Sequence, residues 1–389
     1  MRFRKTPLAL LQLLKERSRL VVALAGIAFA DVLTFVQFGL LDALYDSSTQ
    51  AQRHLNADLV MINRQVKTLI DVKSFPRERL QQAMAHGGIV SVAPAYIGFT
   101  SWRNPETYLD RSILVWGIDP ADPAFTFLEA KQNLDQLKLL DRILFDQTSR
   151  PEYGPIAERI EQQGSIEVQV SNQTVRTVGL FKLGASFGAD GNVIASDSTF
   201  MKLFPDRAPD QIDIGLIQLE PGADIARVKR HLIAELPDDV MVITIPEFID
   251  AEIGYWASQG TGFIFNMGVA VGFVVGIVIV YQILYANVSE HLPEYATLKA
   301  MGYSDRYLLI MLMQESLILA ILGFAPGLIL SLGLYQLTYA ATLLPIAMNV
   351  SRAGTVLIRN RSRGGGISRQ QGWNRFSLAS SPTCLNQVI

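Results

Sequence analysis

The feature that most constrains this chain is a long interval without a charged residue, from 253 to 289. Its centre, residues 262–285, is apolar. A helix rises about 1.5 Å per residue, so about 20 apolar residues cross the hydrocarbon core of a bilayer. The interval therefore predicts a transmembrane helix and places part of the chain in lipid.

Two further apolar runs predict two more spans. Residues 20–41 are interrupted only by Asp31, and residues 317–339 contain Pro326, which a membrane helix tolerates. The run 20–41 is too long for the core of a signal peptide, and no small-residue cleavage site follows it. Composition agrees, since hydrophobic residues make up 49% and charged residues 18%, against about 25% charged in soluble domains.

Charge sets the predicted orientation. The segment 1–19 carries six basic residues and one acid, and such clusters stay on the cytoplasmic side. We expect the N-terminus in the cytoplasm and a leucine-rich part of this segment on the membrane surface. Alternation places 42–260 outside, the loop 286–310 inside and residues 340–358 outside. The protein is thus expected to be a multi-pass protein of the inner (plasma) membrane.

The region 42–260 has the composition of a soluble domain. The expected fold class is an α-helical transmembrane bundle with a large α+β extracytoplasmic domain between spans 1 and 2. Alternating or β-branched segments predict strands at 58–62, 89–93, 112–116, 166–170, 174–180, 215–219 and 240–245. Helices are predicted at 76–85, after Ser74 as cap, and at 224–235. The alternation of strand and helix suggests small βαβ-like layers.

The outer region offers no pattern of catalytic or metal-binding chemistry. Its histidines are too dispersed to suggest a metal site, namely His54, His86 and His231. A run of spaced glycines is typical of a flexible loop, at Gly184, Gly188 and Gly191. The phosphate-binding pattern G-x-x-x-x-G-K-S/T is absent from the sequence, so we expect no enzyme and no directly bound cofactor. The net charge of -2 argues against a nucleic-acid partner.

The inner loop carries the most specific pattern. Pro293 can start a short helix, Met301-Gly302 can end it, and Ser304 can cap the next one. The segment Glu294-Tyr-Ala-Thr-Leu-Lys-Ala-Met-Gly resembles the motif E-x-x-x-L-K/R-A-M/L-G of the permeases related to MacB and FtsX, where it lies between the second and third spans. The order of spans and outer domain is also similar, up to about residue 358. Within that family the segments 19–31, 294–303 and 323–327 are similar to DevC-type permeases of cyanobacterial exporters.

The resemblance implies a homodimer that works with a separate DevA-like ABC ATPase, which binds ATP and Mg. A DevB-like periplasmic adaptor and a TolC-like channel would complete an export path for glycolipid or another amphiphile, as in heterocyst-forming cyanobacteria. The inner helix would dock in a groove of the ATPase. Its contacts would be Tyr295, Leu298 and Met301, with Glu294 and Lys299 fixing the orientation and Gly302 ending the helix.

Small residues recur every four positions in the second and third spans. They are Gly268, Gly272 and Gly276 in the second, and Gly323, Gly327 and Ser331 in the third. Such stripes let membrane helices approach closely. The spacing predicts helix contact, either across a dimer of two copies or within one chain.

The C-terminus departs from the family pattern, which has a fourth span. Residues 340–358 begin such a span, but residues 359–389 contain five arginines and no acid. This composition predicts an unfolded basic tail. We favour an altered reading frame or truncated gene as its origin over a basic binding tail.

Other functions fit the same layout. A transmembrane sensor or receptor also has an outer domain between two spans, but no kinase or long signalling helix follows the second span here. A regulator of a cell-wall hydrolase of the FtsX type, or a Lol-type lipoprotein-release permease, remains the alternative within the family.

Overall fold

The structure, a computed structural model, describes residues 17–344. Most of the predicted N-terminal segment, the incomplete fourth span beyond Leu344 and the basic tail lie outside this range. The helices are α1 (Arg17–Ser48), α2 (Gln50–Arg53), α3 (Glu78–Met84), α4 (Leu128–Gln132), α5 (Leu134–Leu137), α6 (Ile156–Gln163), α7 (Asp197–Leu203), α8 (Ile225–Glu235), α9 (Ile245–Ser258), α10 (Gly260–Glu290), α11 (Leu292–Ala300) and α12 (Asp305–Thr342).

The strands are β1 (Leu59–Asn63), β2 (Phe75–Pro76), β3 (Ile89–Arg103), β4 (Asp110–Ile118), β5 (Arg142–Asp146), β6 (Ile166–Val170), β7 (Gln173–Phe181), β8 (Asn192–Ser196), β9 (Gln211–Ile212), β10 (Ile214–Leu219) and β11 (Val240–Thr244). The described residues fall into two compact units. The helical unit contains residues 17–38 and 267–334. The α+β unit contains residues 39–266 and 335–344.

Three helices are long and apolar enough to cross a membrane. Their apolar parts are Leu20–Ser48 in α1, Gly260–Glu290 in α10 and Leu317–Thr342 in α12, which contains Pro326. Each covers one of the predicted spans. A helix can lie in lipid only where charged side chains are almost absent, and the sequence has three such stretches. The prediction of a three-helix membrane region is confirmed.

A nine-stranded sheet dominates the α+β unit. Its order is β11-β1-β10-β3-β4-β8-β5-β7-β6, and the end of β3 also pairs with β6. That extra pairing closes six strands into a ring, in the order β3, β4, β8, β5, β7 and β6. β4 pairs with β8 and β5 pairs with β7 in parallel, and the other pairs in this sheet are antiparallel.

The open end of the sheet consists of two interlocked split βαβ units. β1 and β3 run in the same direction on either side of β10, with α3 between them in sequence. β10 and β11 likewise flank β1, and α8 connects them. This arrangement confirms the predicted βαβ-like layers in their split form.

Two apolar cores cover the two faces of this sheet. Leu59 and Met61 of β1 point into one core together with Leu80 of α3. Val60 and Ile62 point into the other, with Phe248 of α9. Successive side chains of a strand alternate between faces, so a strand that is buried on both sides reads as a continuous apolar run.

The seven predicted strands are all present, and one helix start was wrong. Pro76 belongs to β2, where it pairs with Gln211, and α3 begins at Glu78. Ser74 does not cap this helix. Its hydroxyl donates instead to Oδ1 of the buried Asp213, at 2.9 Å, because that carboxylate needs hydrogen-bond donors in the interior.

Candidate functional site

The helix α11 lies between the second and third apolar helices in the chain. Pro293 stands in its first turn together with Glu294, and Lys299 lies in its last turn. An acid near the N-terminus and a base near the C-terminus both complement the helix dipole. Nδ1 of His291 lies 3.2 Å from Oε2 of Glu294, and the Thr297 hydroxyl donates to the carbonyl of Pro293 at 2.9 Å. Both contacts are local to the first turns of α11, whose N-cap residue, His291, makes no side-chain capping hydrogen bond.

The end of α11 is fixed by backbone hydrogen bonds. The Gly302 N–H donates to the carbonyl of Lys299 at 3.0 Å, and the Tyr303 N–H donates to that of Leu298 at 3.2 Å. Gly302 has φ +93°, a left-handed conformation that glycine adopts without strain. This pair of bonds forms a Schellman motif. The predicted helix stop at Met301-Gly302 is therefore present.

The side chains of α11 are not buried in the chain's own core. Met301 is 63% exposed, and Glu294 and Lys299 are exposed, whereas Tyr295 and Leu298 are half-buried. Two further apolar side chains that the sequence reasoning did not name, Leu292 and Tyr303, are also exposed at this loop. A short, firmly capped helix with exposed apolar side chains is suited to binding another protein.

The glycine stripes of α10 and α12 both lie against α1 in the same chain. A Cβ atom at Gly268 would meet Oε1 of Gln37, and Gly272 lies against Thr34. In α12, a Cβ at Gly323 would lie 2.6 Å from Cγ2 of Ile27. The contact at Gly323 leaves no room for a side chain, whereas Gly268 faces the movable end of Gln37 and Gly272 makes ordinary contact with Thr34. Small residues on both helices thus lie against α1.

The remaining stripe positions are buried as well, at Gly276, Gly327 and Ser331. A Cβ at Gly327 would lie 2.9 Å from Cβ of Asp31, and the Ser331 hydroxyl donates to the Gly327 carbonyl at 2.7 Å. Asp31 is fully buried. A charged side chain is costly in lipid, and the packing of α12 keeps Asp31 inside the protein. The role of these stripes in a dimer stays a prediction.

A second cluster, which the sequence did not indicate, surrounds Glu252 in the helix just before the second apolar helix. Glu252 lies in α9, which is followed after Gln259 by α10. Its carboxylate is buried and accepts hydrogen bonds from the Thr68 hydroxyl at 2.7 Å, the Leu69 N–H at 2.9 Å and Nε1 of Trp256 at 2.9 Å. Burial raises the pKa of Glu252 above its ordinary value, against the lowering effect of these hydrogen bonds.

The Glu252 cluster ties α9 to a distant loop of the α+β unit. Thr68 and Leu69 belong to the segment between β1 and β2, far from α9 in sequence. Since α9 leads into α10 after one residue, this carboxylate anchors the helix that immediately precedes the second apolar helix. Sequence reasoning treated Glu252 only as the last charge before the apolar interval, because its partners are remote in the chain.

Comparison with known proteins bears on the helical region. Residues 266–358 match the family model described as "FtsX-like permease C-terminal". That range covers most of α10 and all of α11 and α12. No curated protein matches the chain at a significant level. Residues 266–358 are therefore similar in sequence to the C-terminal region of FtsX-like permeases.

Solved structures give weaker likenesses. The periplasmic region of MacB from Actinobacillus actinomycetemcomitans is 11% identical with a TM-score of 0.36, and the match covers 51% of this chain and 94% of that one. The extracellular domain of the noncanonic ABC-type transporter YknZ from Gram-positive bacteria is 15% identical with a TM-score of 0.31, covering 48% of this chain and 99% of that one. Likenesses of this strength carry no argument about function.

Proposed function

We propose that this chain is the permease subunit of an ATP-driven ABC exporter of the MacB and FtsX type, similar to DevC. It spans the inner membrane with its N-terminus in the cytoplasm and works as a homodimer. A separate DevA-like ATPase binds ATP and Mg and supplies the energy. The α+β unit lies outside, where a DevB-like adaptor and a TolC-like channel continue the path for glycolipid or another amphiphile.

The observation that supports this proposal best is the helix α11. It lies within the residues that match the permease family, it is closed at its end by a Schellman motif, and its apolar Met301 is exposed. A loop that only joins two spans does not need exposed apolar side chains. A loop that binds a motor protein does, because apolar contact supplies most of the affinity of such an interface.

Chain continuity suggests how motion could pass through the protein. A partner that moves α11 also moves the ends of α10 and α12, which flank it directly. Long helices move as rigid bodies, so the displacement reaches their other ends. There α9 joins α10, and Glu252 ties α9 to the loop between β1 and β2 of the α+β unit through Thr68 and Leu69. Binding energy on one side of the membrane could thus change the outer unit.

Paired substitutions on opposite faces of α11 test this proposal. Leu298→Asp places a charge on the face of Tyr295 and Met301. Ala296→Asp places the same charge on the exposed opposite face and serves as the control. We expect Leu298→Asp to lose at least 90% of the co-purifying ATPase and of ATP-dependent export, and Ala296→Asp to retain both.

Membrane insertion is measured in both variants, so that a folding defect is recognised. Normal ATPase binding and export by Leu298→Asp would overturn the coupling role of α11. If the unmodified protein binds no ATPase at all and instead recruits a signalling protein, the sensor function would replace the exporter.

A further inference from the structure

A cavity of about 630 Å³ lies in the α+β unit beside the end of the third apolar helix. Leu343, which follows the last residue of α12 directly, lines it. The other walls are the loop between β3 and β4 and the segment from Gln147 to Glu158, which includes the start of α6. Cavities of about 300 to 1,000 Å³ hold small organic ligands.

The loop between β3 and β4 presents two apolar side chains at its tip. Tyr108 is 72% exposed and Leu109 is 67% exposed, and Leu109 lines the cavity. Tyr108 has φ +58°, which is strained for a residue with a side chain. Exposed apolar side chains on a strained loop indicate a surface that contacts a partner or lipid.

This loop is held in place by the buried side chain of Asn104. Its Oδ1 accepts from the N–H groups of Glu106 at 2.8 Å and Thr107 at 3.1 Å, and its Nδ2 donates to the carbonyl of Glu152 at 2.8 Å. The last bond joins the loop to the opposite wall of the cavity. The tip is therefore preorganised, and a ligand need not order it.

Charges in the cavity wall favour some ligands over others. The two arginines that line it are paired with acids: Arg111 lies 3.6 Å from Glu152, and Arg150 lies 3.0 Å from Asp190. The lining Glu106 is paired with Arg159, at 2.6 Å. The exposed Glu158 has no ion pair among the residues that the structure describes. The cavity therefore offers no uncompensated positive charge, and an anionic head group would meet a surplus of acids.

The cavity wall also contains uncharged side chains. Leu109, Pro155 and Leu343 supply apolar surface, whereas Phe145 and Ile156 are buried in the core behind the wall. The side chain of Gln147 lines the same cavity and makes no hydrogen bond to another described residue, so its amide can bind a polar group. An apolar wall with a neutral donor and acceptor fits a molecule that has both a hydrocarbon part and an uncharged polar part.

We propose that this cavity binds an amphiphile with an uncharged polar head, which reaches it from the membrane at the end of α12. The hydrocarbon chain lies along Leu109, Pro155 and Leu343, and the head lies near Gln147. The inference rests on the proposed function, since it names the binding site and the head-group class of the exported cargo. It adds that an anionic amphiphile of the same chain length binds worse.

Photolabelling tests this proposal in the full chain, purified into phosphatidylcholine nanodiscs. The probes are two dodecyl amphiphiles with the same diazirine in the chain, one with a maltoside head and one with a sulfate head. We expect saturable labelling of peptides that contain Leu109 and Pro155 by the maltoside, and at least tenfold weaker labelling by the sulfate. Unsaturable labelling spread over the protein would overturn the site.

Variants provide the control for this experiment. Leu109→Glu and Gln147→Ala should each weaken maltoside labelling at least fivefold. Leu140→Glu should not, because Leu140 is similarly exposed, at 57%, but lies just before β5, at the opposite end of that strand from the cavity. Equal labelling of all three variants, or equal labelling by both head groups, would contradict the proposal.

Failure of this inference can be told apart from failure of the proposed function. Labelling needs no ATPase, so Leu298→Asp should be labelled like the unmodified chain. If labelling persists but the protein binds no ATPase, the cavity remains a binding site and the proposed exporter function is wrong. If the protein couples to an ATPase but shows no saturable labelling, the exporter function stands and the proposed binding site is wrong.

Discussion

The α+β unit and the helical unit bury their apolar side chains to very different extents. In the α+β unit, large side chains such as Trp102, Trp116 and Tyr153 are fully buried. In the helical unit, the buried apolar cluster consists of Ala23, Ile27 and Leu319 with a few half-buried neighbours. In the most apolar stretch of each membrane helix, the buried share is 39% in α1, 28% in α12 and 17% in α10.

This difference shows that each unit is stabilised internally by a different kind of interaction. Burial of apolar area away from water stabilises the α+β unit. Lipid is as apolar as a leucine side chain, so the same driving force is missing between membrane helices. They associate through close contact at small residues, and here both glycine stripes lie on α1. The large exposed apolar area of α10 is left for lipid or for a second copy.

The largest effect should come from the core of the α+β unit. Trp102→Ala removes a side chain that packs on Phe145 and Tyr153 and whose Nε1 donates to the Tyr153 carbonyl at 3.1 Å. We expect the free energy of unfolding of this unit to fall by about 3–5 kcal/mol. Val274→Ala, at a position in α10 that is 57% exposed, should leave it unchanged. The measurement is urea unfolding in detergent, and equal effects of the two variants would remove the contrast between the units.

A smaller effect should come from the contact between α12 and α1. Gly327→Val forces a side chain against Asp31 and the Ala28 carbonyl, whereas Gly333→Val in the same helix meets no atom within 4 Å. Both variants replace glycine by valine in the same helix and so change its helix propensity equally. The difference in stability between them therefore measures the contact with α1. We expect Gly327→Val to lower helix-bundle stability by about 1–3 kcal/mol more, as measured by SDS unfolding in mixed micelles. Equal stability of both variants would show that α1 does not hold α12.

The smallest effect concerns pH. Burial raises the pKa of Glu252 above its ordinary value of 4.5, and its partners Thr68, Leu69 and Trp256 carry no charge. The charged form is therefore penalised in the folded state. Stability from this group is complete below pH 4.5 and is lost as the pH rises through the raised pKa.

The variant Glu252→Gln cannot ionise and should lose this part of the pH dependence of the melting temperature. Glu161→Gln, which removes an exposed carboxylate, should keep it. Tryptophan fluorescence during thermal unfolding at several pH values above 4.5 measures the slope. The same slope in Glu252→Gln as in the unmodified protein would show that Glu252 is not penalised by burial.

Sequence reasoning worked where one local signal decided the structure. Absent charges located α1, α10 and α12, and alternation located strands such as β6, whose side chains alternate between buried and exposed. Pro293 and Gly302 located α11, because proline and glycine act through their own backbone. None of these predictions needed knowledge of a remote contact.

Prediction from the sequence failed where the structure depends on residues distant in sequence. β8 is buried along its whole length and shows no alternation, so its short apolar run was not identified. β3 was predicted to end at residue 93, but Pro94 is tolerated because pairing with β4 begins only at Ala95. Gly98 belongs within β3 because a Cβ there would lie 2.7 Å from the ring of Phe204.

The site shows the same limit. The glycine stripes predicted helix contact but could not say that α1 is the neighbour. Two of the three glycines interpreted as a flexible loop are explained by close packing, since a Cβ at Gly188 would lie 2.7 Å from Ile70 and one at Gly191 would lie 2.6 Å from Tyr153. Gly184 has φ +100°, a left-handed conformation that favours glycine. Glu252 has no signature of its own, because Thr68 becomes its neighbour only in the folded chain.

The central claim is that α11 faces the cytoplasm while the α+β unit faces outward. Single cysteines test it most directly, at Ser304 beside α11 and at the exposed Gln81 of α3, each in a Cys384→Ser background that leaves no other cysteine. A membrane-impermeant maleimide on intact spheroplasts should label Gln81→Cys, and should label Ser304→Cys only after permeabilisation. Labelling of Ser304→Cys in intact spheroplasts, with Gln81→Cys protected, would contradict the account.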